Sequence, residues 1–479
     1  MAVVVSIDHS LENEISQVFE LQKKRAIQLR SAPLRDRISL LNNLEKWILN
    51  NRNAIQDAIF DDYRKPIEES GFSEIFPVVS EIRHVKKNLK RWTSDKKIDT
   101  PLFLFGSSAT IKHEPKGVCL IIAPWNYPFM LLMNPLISAI AAGNTAILKP
   151  SEITPKTSAL MKKMVSELFE KNEICLFEGG LTTSKFLLSL PFDHIFFTGS
   201  TAVGKIVMKA AAENLATVTL ELGGKSPTIV DETANIKKSA ERIAWGKLIN
   251  TGQSCIAPDY ILVHEKVKHQ LVNELKKQIN KMYGKGCDQY KHALSFGRIV
   301  NENHFVRVQK LTDDAIQKGA KVICSGENDK RTRFISPTIL TQVTADMEIM
   351  KEEIFGPILP IIEYKHLDEV VDFINERPKA LALYVFSKCK KNQEKILLNT
   401  SSGTFSINET MVHFSHQNLP FGGINHSGIG KAHGYHGFMS FTNEKSVLKQ
   451  WSPISASKFL YPPFTHFKKK ILDLMIKYF

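Results

Sequence analysis

The 32 residues from Gly117 to Leu148 contain no charged side chain. A run of that length has only two stable destinations, a bilayer or the interior of a layered protein. Its own composition separates them. Pro124, Asn126, Pro128, Asn134, Pro135 and Asn144 interrupt the run, and Gly143 stands where a helix would end. The stretch therefore divides into strand, turn, helix and strand, and its apolar side chains belong to a protein core. The same alternation continues downstream: GVCLIIA, a helical stretch over 130–142, TAILK, a helix over 155–170, EICLFEG, a helix over 181–189, HIFFTG and a helix over 201–213. Continuous apolar strands separated by helices predict an α/β chain with a doubly wound parallel sheet covered on both faces, the Rossmann-like arrangement that binds nucleotides.

Before this unit, residues 10–60 carry apolar positions at helical spacing, from Leu11, Ile15, Val18 and Phe19 to Leu44, Trp47 and Ile48. After VTLELGGKSPTIV the alternation restarts with a helix over 235–249, the turn NTGQSCIAPD, strand YILVH, a helix over 266–282 and strands near 337–340, 357–363 and 381–386, which predicts a second α/β domain. The Gly-dense segment 416–437 reads as an extended loop. With 479 residues, about three domains or lobes are expected. The amino-terminal MAVVVSIDHS has no basic flank and meets Asp8 within a few residues, so it does not read as a signal peptide.

Charge and cysteine content limit the chemistry. The excess of 14 positive charges admits anionic partners, but the lysines are dispersed and no aromatic-basic recognition motif accompanies them, so no nucleic-acid partner is expected. Six cysteines at 119, 175, 255, 287, 324 and 389 form neither a CxxC pair nor a zinc spacing, so no metal and no disulfide framework are expected, and a reducing cytoplasm fits. Cys119, Cys175 and Cys324 lie in apolar strand patterns, Cys287 and Cys389 in polar loops, and Cys255 in a turn between helix and strand. Taken alone, each of them reads as structural.

Gly199–Lys205, GSTAVGK, follows an apolar strand and opens a helix, so it suits a phosphate or is an ordinary glycine-started helix. It lacks the hydroxyl of a P-loop, since position 206 is Ile, and it lacks the second glycine of a GxGxxG fingerprint, since position 201 is Thr. A P-loop-like phosphotransferase relying on Lys205 and a basic scaffold remain as alternatives. Glu221 ends an apolar strand before Gly223 and Gly224, available as a general base, although a solvated strand-end charge is the plainer local reading. Asn126 follows a buried strand among prolines and aromatics, where an amide suits an oxyanion hole or caps a turn.

Seven motifs occur in one order: PWNYP at 124–128, KPSE at 149–152, FTGS at 197–200, LELGGK at 220–225, GQSC at 252–255, EEIFGP at 352–357 and LPFGG at 419–423. Together they resemble the aldehyde dehydrogenase superfamily, and TLELGGKSP, RIAWGK, APDYIL and ALYVFS resemble its class 3, fatty-aldehyde branch. The resemblance spans about residues 10–450. It implies NAD(P)-dependent oxidation of an aliphatic or aromatic aldehyde to the acid, through a thiohemiacetal and a thioester on Cys255. Asn126 and the Cys255 backbone N–H would form the oxyanion hole, and Glu221 would activate water. It further implies that Lys149 and Glu152 meet the adenosine ribose with Trp125 beside them, that Gly199, Ser200, Thr201, Ala202, Val203 and Gly204 meet the pyrophosphate and adenine, and that Glu353 and Phe355 meet the nicotinamide ribose. NAD is expected, with NADP possible, because of Glu152.

The implied organisation is a cofactor domain of residues 1–94 and 116–222, a catalytic domain of 223–430, a bridging element of 95–115 and 431–450 that pairs two subunits into a homodimer, and a basic tail of 451–479. Within that tail, Phe464, Phe467, Ile471, Leu474 or Met475, and Tyr478 recur at helical spacing beside Lys468, Lys469, Lys470 and Lys477. A short amphipathic helix is expected over 464–479, serving as a peripheral membrane contact or as a lid on the substrate entrance.

Overall fold

The computed structural model describes residues 9–284, 287–453 and 455–478. The segment 1–8, on which the signal-peptide reading rests, and Phe479 lie outside the described residues, as does the side chain of Cys287.

The uncharged run folds as strand Val118–Ile122, a turn, helix Met130–Ala142 and strand Thr145–Lys149. Pro135 does not interrupt that helix but sits inside it. The strand residues alternate between two cores: Cys119 and Ile121 pack with the helices Leu34–Asn50, Phe76–Trp92 and Met130–Ala142, whereas Val118, Leu120 and Ile122 pack with the helix His9–Leu29. Both faces are covered, so every position of the strand is apolar. Each fully buried aliphatic side chain contributes roughly 1.5–3 kcal/mol, which is why a run of this kind nucleates a layer.

The sheet built on it has six strands in the order Gly428–Ile429, Thr217–Leu222, His194–Gly199, Val118–Ile122, Thr145–Lys149, Ile174–Leu176, all parallel except for the two-residue edge strand. The chain runs outward from Val118–Ile122 to Ile174–Leu176 and then returns to the opposite side at His194–Gly199. The crevice at this switch point, beyond the carboxyl ends of Val118–Ile122 and His194–Gly199, is the place where such sheets receive ligands.

A second sheet has seven strands in the order Lys321–Cys324, Thr338–Thr341, Ile358–Tyr364, Tyr260–His264, Pro227–Val230, Ala382–Phe386, Thr404–Ile407, antiparallel only at its first pair. A third is a three-stranded antiparallel sheet of Lys96–Ile98, Ser107–Pro115 and Thr442–Gln450.

Two readings are corrected, and a third is met with shifted bounds. The segment 416–437 is not loop throughout, because it contains Gly428–Ile429 and the first turn of helix Gly434–Ser440. That helix forms against Met130–Ala142, where Gly437 fits because a Cβ would come within 2.5 Å of Ser138 Oγ. Cys287 opens the short helix Cys287–Tyr290 instead of lying in a loop. The expected tail helix is present as His466–Tyr478, with Phe464 before it.

Candidate active site

The seven motifs, scattered over 300 residues, come together between the carboxyl ends of the strands of the six-stranded sheet and the amino ends of those of the seven-stranded sheet. Lys225 of LELGGK donates to Asp259 at 2.5 Å and to the carbonyls of Ile349 and Glu352 at 2.7 and 2.9 Å, while Asp259 accepts from the Ile354 N–H at 3.1 Å. One half-buried lysine thus ties the glutamate strand, the loop after the cysteine and the EEIFGP loop together. Gly252 has φ +75, and a Cβ there would lie 2.3 Å from the Gly356 carbonyl, so the cysteine turn and the EEIFGP loop touch backbone to backbone.

Cys255 follows an unusual turn. Asn250, Thr251 and Gly252 are all left-handed, with φ of 51, 57 and 75. Such a turn costs on the order of 1 kcal/mol or more for each non-glycine residue and persists only where its surroundings hold it. Here the Glu69 carboxylate accepts the Asn250 N–H at 2.7 Å, and the Asn250 side chain donates to the carbonyls of Asn126 and Gln253 at 2.7 and 3.0 Å. The fully buried Gln253 donates to the Arg298 carbonyl at 3.0 Å and accepts from Val300 at 2.9 Å.

The Asn126 amide donates to the Gln253 carbonyl at 3.1 Å, and Tyr63 Oη donates to the Asn126 carbonyl at 2.9 Å. An amide has two N–H groups, so one remains for a ligand. Burial pushes the Cys255 thiol well above its ordinary pKa, and the charges of Glu353 and Glu221 push it in the same direction, while the backbone N–H groups of Cys255 and Ile256 oppose them. Glu221 is 6% exposed, and among the described residues neither of its carboxylate oxygens has a hydrogen-bond partner. Burial raises its pKa well above the usual carboxylate range, against the opposing charge of Lys431.

Two cavities meet at these residues. One is apolar, walled by Phe72, Tyr127, Phe196, Trp245, Met411 and Phe414. The other, the more polar cleft by its side chains, carries ionisable groups among apolar ones and is walled by Trp125, Asn126, Gly199, Ser200, His304, Arg307, Glu353 and Phe355. Cys255, Glu221, Thr198 and Leu131 border both.

The remaining expected site residues are distributed unequally. Trp125 is stacked edge-on to Phe355 and tilted against His304, with centroid separations of 5.3 and 4.9 Å. The Glu353 carboxyl is buried, its pKa raised to about 8 by burial and by Asp259, and its Oε1 has no partner among the described residues. Lys149 pairs with the half-exposed Glu152 at 2.8 Å, on the strand next to Val118–Ile122. Gly199 and Ser200 reach the cleft, and Ser200 caps helix Thr201–Glu213. The Thr201 hydroxyl donates to the His426 carbonyl at 2.9 Å, Ala202 and Val203 are exposed, and Gly204 is buried where a Cβ would lie 2.6 Å from Leu222. Lys205 is exposed on the same helix.

Sequence reasoning missed His304 and Arg307, one turn apart on helix Glu302–Gln317, and Arg307 holds the carbonyls of Glu353 and Ile354 at 3.0 and 2.6 Å. It also missed Lys65, Glu69, Glu74 and Lys431. A paired His and Arg at helical spacing was the available signal for the first two. Of the other cysteines, Cys119 and Cys175 are buried with thiol pKa values raised by burial, and Cys324 is buried.

Comparison with known proteins gives a consistent result. The aldehyde dehydrogenase family model matches residues 2–447. The 4,4'-diaponeurosporen-aldehyde dehydrogenase of Staphylococcus aureus is 46% identical over 93% of this chain and 94% of its own. Aldehyde dehydrogenase family 3 member A2 of Macaca fascicularis is 41% identical over 95% of this chain and 91% of its own. The solved structure of a substrate-bound Staphylococcus aureus AldH superimposes with a TM-score of 0.92 at 44% identity, covering 96% of this chain and 99% of that one.

Proposed function

We propose, for a chain that belongs to the aldehyde dehydrogenase family, that Cys255 is the nucleophile, Asn126 the oxyanion donor and Glu221 the general base. The enzyme is an oxidoreductase that oxidises aldehydes with NAD or NADP. The P-loop alternative and the basic-scaffold alternative fall with that. The observation that carries the proposal is the position of Cys255 and Glu221 at the boundary of the apolar cavity and the polar cleft. An aldehyde entering from the apolar side presents its carbonyl carbon to Cys255 Sγ. The free Asn126 N–H and the Cys255 backbone N–H then stabilise the oxygen that becomes negative.

The polar cleft fits a nicotinamide dinucleotide. It lies at the sheet's switch point, Ser200 begins a helix whose N-terminus favours phosphate, and the unpartnered Glu353 Oε1 is a buried acceptor suited to ribose hydroxyls. When bound, the dinucleotide supplies a hydride acceptor. Glu221 then takes a proton from water as the water oxygen attacks the thioester carbonyl, the C–S bond breaks, and Cys255 is regenerated with release of the acid.

The aromatic and aliphatic wall of the substrate cavity favours apolar aldehydes, medium- to long-chain or aromatic. NADH formation measured across aldehydes of increasing length plus benzaldehyde tests this. Cys255→Ala should abolish turnover, by three orders of magnitude or more on the scale of lost nucleophiles, and leave dinucleotide binding intact. Near-wild-type turnover in that variant would sink the assignment.

The cofactor and catalytic domains proposed are those built on the six- and seven-stranded sheets, cofactor over 1–94 and 116–222 and catalytic over 223–430. The third sheet, proposed as the bridging element that joins two subunits in a homodimer, has a mostly exposed strand Thr442–Gln450 at one edge. Among the described residues, no helix is long and apolar enough to cross a membrane. Helix His466–Tyr478 has no buried residue, and it leaves Phe467, Leu474, Ile476 and Tyr478 exposed beside Lys469, Lys470 and Lys477. It contacts the turn Ala456–Leu460, and no described residue after His433 lines either cavity. An anionic bilayer surface matches this basic apolar face better than a lid role within the same subunit. Truncation after Pro463 should abolish binding to phosphatidylserine vesicles and leave short-chain activity unchanged. Unchanged vesicle binding with altered chain-length preference would favour the lid.

A further inference from the structure

Lys431 comes from the loop that closes over the general base. Glu221 pairs in register with Gly428 of the edge strand Gly428–Ile429, and three residues later the chain presents Lys431. Its Nζ donates to the carbonyls of Gly422 and Gly423 at 2.5 and 3.2 Å, which fixes the ammonium over the LPFGG loop. Gly422, with φ +152, is the spacer: a Cβ there would lie 3.0 Å from both Glu221 Oε1 and Lys431 Cδ, so these two atoms are within about 6 Å of each other. Among the described residues, no side-chain donor reaches the Glu221 oxygens.

The other groups around Glu221 do not provide a matching counter-charge. Cys255 and Glu353 share the polar cleft with it and become negative when ionised, and Glu352 stands farther along the same wall. Of the basic groups in that cleft, Arg307 is held by the carbonyls of Glu353 and Ile354, and His304 is kept neutral by burial, its pKa lowered to about 4. On the apolar side His433 is likewise neutral, its pKa lowered to about 4 by burial. Lys431 is the cation that acts on Glu221, and Glu221 acts back on it.

We propose that Lys431 is a positioning residue for the hydrolytic half of the reaction, its ammonium supplying the counter-charge that lets the buried Glu221 carboxylate ionise and accept a proton from water. This rests on Glu221 being the general base. In the step concerned, the water O–H proton passes to Glu221, the water oxygen bonds to the thioester carbon, and collapse breaks the C–S bond and returns the sulfur electron pair to Cys255. Glu221 then releases its proton to solvent. Hydride transfer has already taken place, so Lys431 acts on deacylation and not on acylation.

A nearby opposite charge lowers a carboxyl pKa by about 1 to 3 units, and the Lys431 ammonium is half-buried and shared with two carbonyls, so its loss should move the limb by about 1 to 2 units. The experiment is a pH profile of the NADH burst and of the steady-state rate in the full-length enzyme with a short-chain aldehyde. In Lys431→Gln, which keeps hydrogen-bonding capacity without charge, and in Lys431→Met, the alkaline-rising limb of steady turnover should shift upward by about 1 to 2 pH units, with roughly tenfold slower turnover at pH 7. The burst should be unchanged, and Lys431→Arg should restore the limb. In a Glu221→Gln background neither Lys431 variant should move the profile. An unmoved limb in both neutral variants overturns the proposal, as does an equal shift in the Glu221→Gln background. If Glu221→Gln alone leaves turnover and limb intact, the reading of Glu221 as the base is what fails.

Discussion

Two sets of buried carboxylates stand on the elements that meet at Asn126 and Cys255, and they are kept in opposite ways. In the segment before the cofactor sheet, Glu74 pairs with Lys65 at 2.9 Å, both side chains fully buried, and its second oxygen accepts the Met130 N–H at 3.0 Å. Lys65 also lies 3.9 Å above the Tyr127 ring, and Glu69 accepts the Asn250 N–H. In the cleft, both oxygens of Glu221 and one of Glu353 have no partner among the described residues. A buried polar group without a partner costs about 1–3 kcal/mol, and more if charged. A protein that satisfies one set and leaves the other bare is using the first as scaffold and the second as reagent. The first set holds the turn that aims the nucleophile, whereas the second keeps carboxylate oxygens open for water, substrate or cofactor.

Substitutions should therefore separate activity from stability in opposite senses. The largest expected effect on activity alone is that of Glu221→Gln: steady turnover falls about 10²- to 10³-fold, the range of general-base losses, while the NADH burst survives. The urea midpoint stays level or rises, because a buried carboxyl without partners has become an amide. A variant that loses the burst and unfolds earlier would place Glu221 with the scaffold.

Lys65→Met is the converse. It leaves Glu74 uncompensated in the interior, and breaking one side of a buried pair costs about 3–5 kcal/mol. Urea unfolding at pH 7 should show that loss, and Lys65→Met with Glu74→Gln should recover part of it. A stability change below about 1 kcal/mol would mean that the pair is no scaffold.

Glu69→Gln tests the same region through pH. Burial raises the Glu69 carboxyl to about 7, partly offset by Lys65 and the Asn250 N–H. Its pKa in the folded protein lies above the ordinary value, so the folded state binds the extra proton, and wild-type stability declines as pH rises from about 4.5 to 7. Gln can accept the Asn250 N–H without ionising. The variant should match wild type near pH 5 and exceed it by about 1–3 kcal/mol at pH 8, as read from unfolding midpoints at the two values. A difference independent of pH would show that Glu69 is not ionising inside the fold.

The contrast also explains what could be read from the sequence. Five strands of the six-stranded sheet were legible because burial on both faces makes most of them apolar words bounded by Gly, Pro or Asn, whereas the two-residue edge strand Gly428–Ile429 was hidden in a Gly-dense loop. Strand Thr404–Ile407 of the seven-stranded sheet was not legible, since its side chains are half covered or exposed, and of Lys321–Cys324, three of whose four residues are exposed, only the apolar pattern around Cys324 was legible. Cys255, Glu221 and Asn126 stood out through their motifs. Lys65, Glu69 and Glu74 did not, because charges spaced along KPIEESGFSE look like a solvated helix face, and only the tertiary fold buries them. Lys431 was hidden in a Gly-rich stretch whose significance is its register against Glu221.

The smallest expected effect belongs to a carboxylate of a third kind, Glu152, which is paired but half exposed. Partial burial pushes its pKa up, but the Lys149 hydrogen bond and charge outweigh this and hold it below the ordinary value, so it is ionised at neutral pH. At the ribose position that the family pattern assigns to it, the charge would accept a hydroxyl and repel a 2′-phosphate, which favours NAD. Solvent screens an exposed charge, and Lys149 offsets part of it, so the contribution is about 0.5–1 kcal/mol, or roughly two- to fivefold in relative kcat/KM. Glu152→Gln removes the repulsion and frees the Lys149 ammonium for a phosphate, and it should narrow the ratio of kcat/KM for NAD over NADP by that factor. The narrowing should come mainly from a better constant for NADP and shrink at high salt, where surface charges are screened. A wild-type enzyme that prefers NADP, or a ratio unmoved by the substitution at low salt, would show that Glu152 does not face the 2′ position.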